Sequence, residues 1–327
     1  MRILDKYILK EFLGPFLFGV AAFTAIFLGA DTLLKIADYV TKYGASSTAA
    51  LKIFILALPR IIVYTFPMAV LLGALMATSR LSGSSELIVM RTSGQSFSRL
   101  VMPIFILTFL ISLCAVAFNE YVVPWTNRKY EQVINIEIKR NLNPGVTDHV
   151  ILRDVQNGKI AHLLYARRYN PENKKLENIT IQEFQNEAVI RVENAPNAVW
   201  KDGKWFMENG TIYDEMTIRE LFTARKAYEA AHEDATAIVM EIHRRFSLPF
   251  ASFVFGLVGA PLGVQRERSS SSIGFGLSVV IIFVYYAVMT FLEALGKGHV
   301  ISAVAAVWLP NLIALICAVY LIKRVNQ

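Results

Sequence analysis

Cysteine is nearly missing. Cys114 and Cys317 are the only two in 327 residues, and both stand inside long apolar runs. A disulfide framework is excluded, and the two thiols read as small core residues. The five histidines, His149, His162, His232, His243 and His299, form no His-Glu-x-x-His or other ligand spacing, so no metal site is expected. No Gly-x-x-x-x-Gly-Lys-Ser/Thr segment cradles nucleotide phosphates, and no Gly-x-Ser-x-Gly elbow presents a nucleophile. The chain is therefore not expected to be an enzyme or to carry a cofactor. The formal charge is +7 and the pI about 9.3, yet no dense Lys/Arg run with interleaved aromatics appears, which argues against a nucleic-acid partner. Basic loops that set membrane orientation, and an anionic lipid ligand, account better for the positive balance.

Hydrophobic residues make up 54% of the chain and the mean hydropathy is +0.43. With 18% charged residues, this composition implies membrane spans plus a water-exposed domain. About 20 apolar residues cross a bilayer core, and six runs reach that length. The first, from Phe12 to about Leu34, follows Arg2, Lys6 and Lys10. It is longer than a signal-peptide core and is read as an uncleaved helix. Asp31 and Lys35 lie near its far end, with Lys42 in the loop beyond. The second covers Leu51–Thr78, interrupted at Pro59-Arg60 and kinked at Pro67. The third runs from Leu100 to Val123 and ends at Pro124-Trp125. The fourth to sixth cover Ser247–Val264, with Pro249 in the first turn, then Ser272–Leu295 and Val300–Ile322.

Between the third and fourth spans the character changes. Strand patterns appear at His149–Arg153, Ile160–Arg167, Ile179–Phe184, Ala188–Glu193, Ala198–Trp200 and Trp205–Tyr213, and Asp202-Gly203 is a hairpin signal. The expected fold class is membrane α+β: six transmembrane helices, split three and three, around an inserted β-sandwich or jelly-roll domain. Residues 1–126 would hold spans one to three, 127–240 the insert and 241–327 spans four to six. With the N-terminus inside, Arg80, Arg91, Arg99, Arg266, Arg268, Lys323 and Arg324 all fall on the cytoplasmic side. The positive-inside rule then places both termini in the cytoplasm and the insert outside.

One cytoplasmic segment stands out: Arg80-Leu-Ser-Gly-Ser-Ser-Glu-Leu-Ile-Val-Met-Arg-Thr-Ser-Gly94. Ser84 or Ser85 suits a helix cap, Glu86 suits the positive end of the dipole, and Gly94 suits a C-terminal stop. Leu87, Met90 and Arg91 share a face, with Ile88 beside them. So short a helix needs a membrane surface or a partner. It reads either as an ordinary interfacial helix or as a docking helix for a cytoplasmic motor. At the opposite side, Lys35 and Lys42 sit at the depth of outer-leaflet phosphates, with an Asp31–Lys35 ion pair as the competing account.

Several stretches taken in order resemble the bacterial lipopolysaccharide export permeases of the LptF/LptG (YjgP/YjgQ) family: Leu4-Asp-Lys-Tyr-Ile8, Phe66-Pro-Met-Ala-Val-Leu-Leu-Gly-Ala-Leu75, Ser85–Gly94, Leu248-Pro-Phe-Ala251, and Gly259-Ala-Pro-Leu-Gly263. The region near Lys35 looks closer to the G-type member. The resemblance implies an inner-membrane permease of an ABC-type complex. It implies a cytoplasmic LptB-like ATPase dimer as motor, a second permease copy or paralogue, an LptC/LptA-like periplasmic bridge, and lipopolysaccharide as cargo. It also implies that Ser85, Glu86, Leu87, Ile88, Met90 and Arg91 form the ATPase-coupling segment and that Lys35 and Lys42 face lipid phosphates. Thr41 departs from that pattern, being uncharged. The rival is a macrolide- or lipoprotein-type export permease, or a mechanotransmitting membrane protein; the six-span layout with a central insert does not suit it.

Overall fold

The computed structural model describes residues 3–138, 147–156, 159–170, 175–185, 188–201, 204–208, 216–230, 234–264 and 271–326. They form two units, Met1–Val133 with Met216–Gln327, and Ile134–Glu215.

The first unit is helical. In chain order it contains α1 (Ile3–Tyr43), α2 (Ser47–Gly83), α3 (Glu86–Thr92), α4 (Phe97–Gln132), α5 (Ile218–Ala230), α6 (Thr236–Leu262), α7 (Ser271–Lys297) and α8 (Ala303–Asn326). Among the described residues, six helices are long and apolar enough to cross a membrane: α1, α2, α4, α6, α7 and α8. The protein is a multi-pass membrane protein. Within α1 a single π turn, Leu28–Thr32, separates Ile3–Phe27 from Leu33–Tyr43. At 1.5 Å per residue, α1, α2 and α4 are each roughly 55–60 Å long, well beyond a hydrocarbon core of about 30 Å.

Proline breaks none of these helices. α2 runs through Pro59 and Pro67, α4 through Pro103 and Pro124, α6 through Pro249 and Pro261, and α8 through Pro310. The expected interruption at Pro59-Arg60, the stop at Pro124-Trp125 and the placing of Pro249 in a first turn are all corrected. A proline forfeits one backbone hydrogen bond, whereas leaving the helix in an apolar medium would orphan many.

The centre is built from α2 and α6, and small residues let the helices approach. A methyl added at Gly19 would lie 3.1 Å from Ala69 Cα, bringing α1 against α2. One added at Gly259 would lie 3.0 Å from both Ala74 Cβ and the Leu71 carbonyl. The stretches Phe66–Leu75 and Gly259–Gly263 are thus the two sides of one helix contact, and small residues serve such contacts where no water drives association. Ile8, Phe12 and Phe16 of α1 join Val70, Ala74 and Leu81 in one buried cluster. Phe23, Leu72, Phe255, Ile282 and Tyr285 anchor a second. Phe283 and Phe291 of α7, Phe18 of α1 and Ile316 of α8 are exposed, as lipid-facing side chains are. Cys114 and Cys317 are also exposed and free, so both belong to the outer flanks and the core assignment made for them is wrong. Both stand in apolar runs, and an apolar run shows which residues avoid water without telling helix core from lipid face.

A polar seam crosses the bundle. Asn311 Nδ2 donates to the Ser247 carbonyl and lies 2.8 Å from Ser247 Oγ, and the Tyr285 hydroxyl donates to Asn311 Oδ1 at 2.9 Å. Asn311 is 2% exposed. The seam joins α6, α7 and α8.

In the second unit the described strands are β1 (Thr147–Gln156), β2 (Lys159–Asn170), β3 (Lys175–Gln185), β4 (Ala188–Lys201) and β5 (Lys204–Glu208), in one antiparallel sheet of order β1-β2-β3-β4-β5. The register places Val150 opposite Ala166, Ala166 opposite Ile179, and Trp200 opposite Trp205. Ala188–Glu193 and Ala198–Trp200 belong to one strand rather than two. Pro196 lies within it, between Ala195 opposite Ile179 and Asn197 opposite Glu177. Lys201 pairs with Lys204; the expected Asp202-Gly203 turn between them, the 209–213 part of the last strand pattern, and residues 265–270 with Arg266 and Arg268 lie outside the described residues. A sandwich or jelly roll needs two facing sheets, and among the described residues the unit supplies one meandering sheet.

Candidate docking helix and lysine face

The segment after α2 folds as a tight turn and two helical turns. Ser85 has φ 61°, and Glu86–Thr92 follows as α3. The capping expectation is corrected: Ser85 makes no side-chain cap. Ser84 Oγ instead lies 2.9 Å from both the Arg80 carbonyl and Glu86 Oε1. The left-handed backbone at Ser85 takes the place that an extended N-cap residue would occupy. Gly94, at φ 89°, ends the segment as expected, and Ser96 then caps α4 by accepting from the Arg99 amide.

The six residues of the expected coupling segment separate by environment. Leu87 is 3% exposed, Ile88 57% and Val89 66%; Ser85, Glu86, Met90 and Arg91 are half-buried. Leu87 and Met90 pack into the cluster of Ile8 and Phe12. The face that spacing grouped around Leu87 is therefore turned toward the protein, and the outward face is Ile88, Val89 and Thr92. Four consecutive apolar residues, Leu87 to Met90, carry no periodicity that distinguishes inside from outside.

Charged and polar side chains gather around this helix. The Tyr7 hydroxyl donates to Glu86 Oε2 at 2.8 Å. Arg80 Nη1 meets Glu11 Oε2 at 2.5 Å, and Arg99 Nη1 meets Asp5 Oδ1 at 3.3 Å. Asn326 Nδ2 donates to Ser98 Oγ at 2.6 Å. The start of α1, the end of α2, the start of α4 and the end of α8 thus share one end of the bundle with α3. Arg80, Arg91 and Arg99 all lie there, as do Lys323 and Arg324 in the last turn of α8.

The far end of α1 carries the lysines. Lys42 lies in the last turn of the helix, not in a loop, and Gly44 at φ 60° closes it. Lys35 Nζ pairs with Asp31 at 2.8 Å and Lys42 Nζ with Asp38 at 3.1 Å, with all four side chains more than half exposed. Residues 31, 35, 38 and 42 recur at helical spacing and share one face. Thr41 Oγ1 donates to the Ala37 carbonyl at 2.8 Å. The α-helical phase places two cations and two carboxylates in one exposed row. Such exposed pairs contribute little and exchange partners readily.

Sequence reasoning missed a third group. Arg245, 4% exposed, lies 3.4 Å from Glu241 and 3.7 Å from Glu120 of α4. Both Glu120 oxygens accept from the Ile218 amide at 3.1 Å. Thr217 and Glu220 form a reciprocal capping box: the Thr217 amide donates to Glu220 Oε2 at 2.7 Å, and the Glu220 amide donates to Thr217 Oγ1 at 3.3 Å. Arg128 reaches the same Oε2 at 2.5 Å. The Thr217 amide, with Arg128 assisting, holds the Glu220 carboxyl below the usual carboxylate range. The Thr-x-x-Glu spacing was a readable signal for this helix start. Arg245 gave none, because the apolar run was read as starting after it.

The sequence matches the family described as lipopolysaccharide export system permease LptF/LptG over residues 6–215 and 213–324. It is 28% identical over 215 residues to the lipopolysaccharide export system permease protein LptG of Haemophilus influenzae, a match covering 63% of this chain and 56% of that relative. It is 23% identical to LptG of Escherichia coli K12 over 369 residues, 98% of both chains. It is 21% identical to LptF of the same strain over 348 residues, 98% of this chain and 94% of that one.

Proposed function

The chain belongs to the LptF/LptG family of lipopolysaccharide export system permeases, and on that footing we propose that it extracts lipopolysaccharide from the outer leaflet of the bacterial inner membrane under the drive of a separate ATPase. The termini and α3 face the cytoplasm, and the β-unit faces the periplasm. The domain plan is 1–126, 127–240 and 241–327, with 84–94 as the coupling segment. The supporting observation is that the apolar residues Ile88 and Val89 stand exposed at the end of the bundle where Arg80, Arg91, Arg99, Lys323 and Arg324 gather. This is the combination that suits a cytoplasmic face and a protein partner.

An LptB-like ATPase dimer occupies this surface, contacting Ile88 and Val89, with Glu86 and Arg91 as flanking charges. A second permease, identical or paralogous, completes the lipid cavity. The lipid phosphates exchange with Asp31 and Asp38 for Lys35 and Lys42. The acyl chains need a shielded route, since exposing each CH₂ to water costs about 0.8 kcal/mol. The β-unit, as part of a jelly-roll-like periplasmic domain, supplies the start of that route and hands the lipid to an LptC/LptA-like bridge.

Purification from native membranes in mild detergent tests the reading. The expected result is co-purification of a P-loop ATPase together with a lipid A-containing lipid, and loss of the ATPase on Ile88→Asp. Retention of the ATPase by Ile88→Asp with Val89→Asp, or absence of any ATPase from the native complex, would overturn it.

A further inference from the structure

Three polar bridges tie the first turns of α1 to the elements around the docking helix. Asp5 meets Arg99 at the start of α4, Tyr7 meets Glu86 in α3, and Glu11 meets Arg80 near the end of α2. The Asp5 and Glu11 side chains are only 13% and 10% exposed, so these are not wholly solvated pairs. Beneath them Ile8 and Phe12 share a buried cluster with Leu87, and Leu4, Tyr7 and Met90 pack against it. At 3.6 residues per turn, Asp5, Tyr7, Ile8, Glu11 and Phe12 fall within one side of α1. Of the three bridges, that of Tyr7 reaches α3 itself.

We propose that Tyr7 is a positioning residue that fastens the docking helix to the first span, so that the two move as one body. A carboxylate has about four lone-pair sites. The Tyr7 hydroxyl takes one on Oε2 and Ser84 Oγ approaches Oε1. Glu86 is thereby held in one orientation, with acceptor capacity left for a cation on the motor. The apolar contacts of Leu87 and Met90 hold the helix down, and the Tyr7–Glu86 bond fixes its rotation and its attachment to α1. Displacement of α3 by a partner is then passed to the whole length of α1, at whose far end Lys35 and Lys42 lie. This inference rests on the docking reading above and adds the residue through which force leaves the docking helix.

The experiment uses the complete complex in lipid vesicles and measures three quantities: ATPase retained, ATP hydrolysed, and lipopolysaccharide delivered per ATP. Tyr7→Phe keeps the ring and removes only the donor. It is expected to keep the ATPase bound and hydrolysis near the unaltered rate, while lipid delivered per ATP falls about tenfold, as for loss of one hydrogen bond to a charged group. Glu11→Arg is expected to lower delivery per ATP as well, and the exchange Glu11→Arg with Arg80→Glu to restore it. Unchanged delivery per ATP in Tyr7→Phe, or loss of the ATPase from that variant, overturns the proposal. Glu86→Lys in the same assay separates the two readings. If it keeps the ATPase, the docking reading falls and this inference with it; if it loses the ATPase while Tyr7→Phe is fully coupled, only the present inference falls.

Discussion

Gly263, the residue that ends α6, lies against Thr78 of α2 so closely that a methyl group on it would stand 1.9 Å from Thr78 Oγ1 and 2.5 Å from the Leu75 carbonyl. The Thr78 hydroxyl is itself fixed by donating to the Ala74 carbonyl at 2.8 Å, so it has little freedom to move aside. Gly256 meets Thr108 in the same way, at 2.6 Å from Oγ1. Gly263→Ala is expected to destabilise the detergent-solubilised protein by about 1–3 kcal/mol, the usual range for overpacking. Gly276→Ala, with open space around it, should leave the thermal midpoint unchanged or raise it. Thermal unfolding followed by tryptophan fluorescence decides. An unaltered midpoint in Gly263→Ala would mean that α2 and α6 are not in this contact.

The two sides of α3 should respond differently to mutation. Leu87→Ala removes a buried anchor and is expected to cost about 2–5 kcal/mol of stability. Ile88→Asp with Val89→Asp changes exposed positions and should leave the thermal midpoint within experimental error while abolishing ATPase capture. If capture is lost only with Leu87, the outward face is not the contact.

The lysine face makes a charge prediction. Lys35→Glu with Lys42→Glu should lower photocrosslinking of lipopolysaccharide at position 34 without affecting assembly. Asp31→Asn with Asp38→Asn releases both lysines from exposed pairs that contribute about 0.2–1 kcal/mol each, so crosslinking should rise by no more than about fivefold per pair released. A fall in the aspartate variant would show that the carboxylates themselves take part in binding.

Asn311 serves two helices at once. Asn311→Leu leaves the Tyr285 hydroxyl and the Ser247 carbonyl without their shared partner, at a cost of about 1–3 kcal/mol. Tyr285→Phe with Asn311→Leu should recover part of that loss, because both ends of one hydrogen bond are then apolar. Additive losses in the double variant would argue against the coupling.

Glu220 sets the pH response of α5. Its folded-state carboxyl is held below the ordinary range, so the stabilisation is present above the unfolded value and is lost as pH falls through the lower folded one. Protection of the Thr217–Leu221 amides, taken as the exchange rate relative to the intrinsic rate at each pH, should fall on acidification below the ordinary carboxylate range. In Glu220→Gln that protection should be lower at neutral pH and no longer sensitive to acid.

How legible this architecture was depends on what each residue has to satisfy. Run length alone located the six long helices, because a bilayer admits few alternatives to them. Alternation located most of the strands as well; β4 was divided in two only because Pro196 looks like punctuation. Proline misled in the helices for the same reason, since at Pro59 and Pro124 the apolar surroundings outweigh its local penalty. The orientation of α3 was not legible, because Leu87, Ile88, Val89 and Met90 are all apolar and only tertiary packing chooses among them. Arg245 was missed because the apolar run was read as starting after it; Glu241 stands one turn back on the same helix, and Glu120 alone is brought to it by helix packing. The Asp31–Lys35 pair was foreseeable from spacing, and Asp38–Lys42 obeys the same rule.

The buried stripe of α1 reads Ile8, Phe12, Phe16, Gly19, Phe23 and Thr24, and then Leu28 and Thr32 inside the π turn. That turn takes up one residue more than an α turn would, and in an α-helix one residue is equivalent to about 100° of rotation. Closed into an ordinary α turn with every residue kept, 28–32 would leave Lys35 and Lys42 about a quarter of the way round the axis from their present place, while Ile8 and Phe12 stayed seated. The azimuth of the cationic row is therefore set by a local widening of the helix, some 10–20 Å along the rod from the charges it aims.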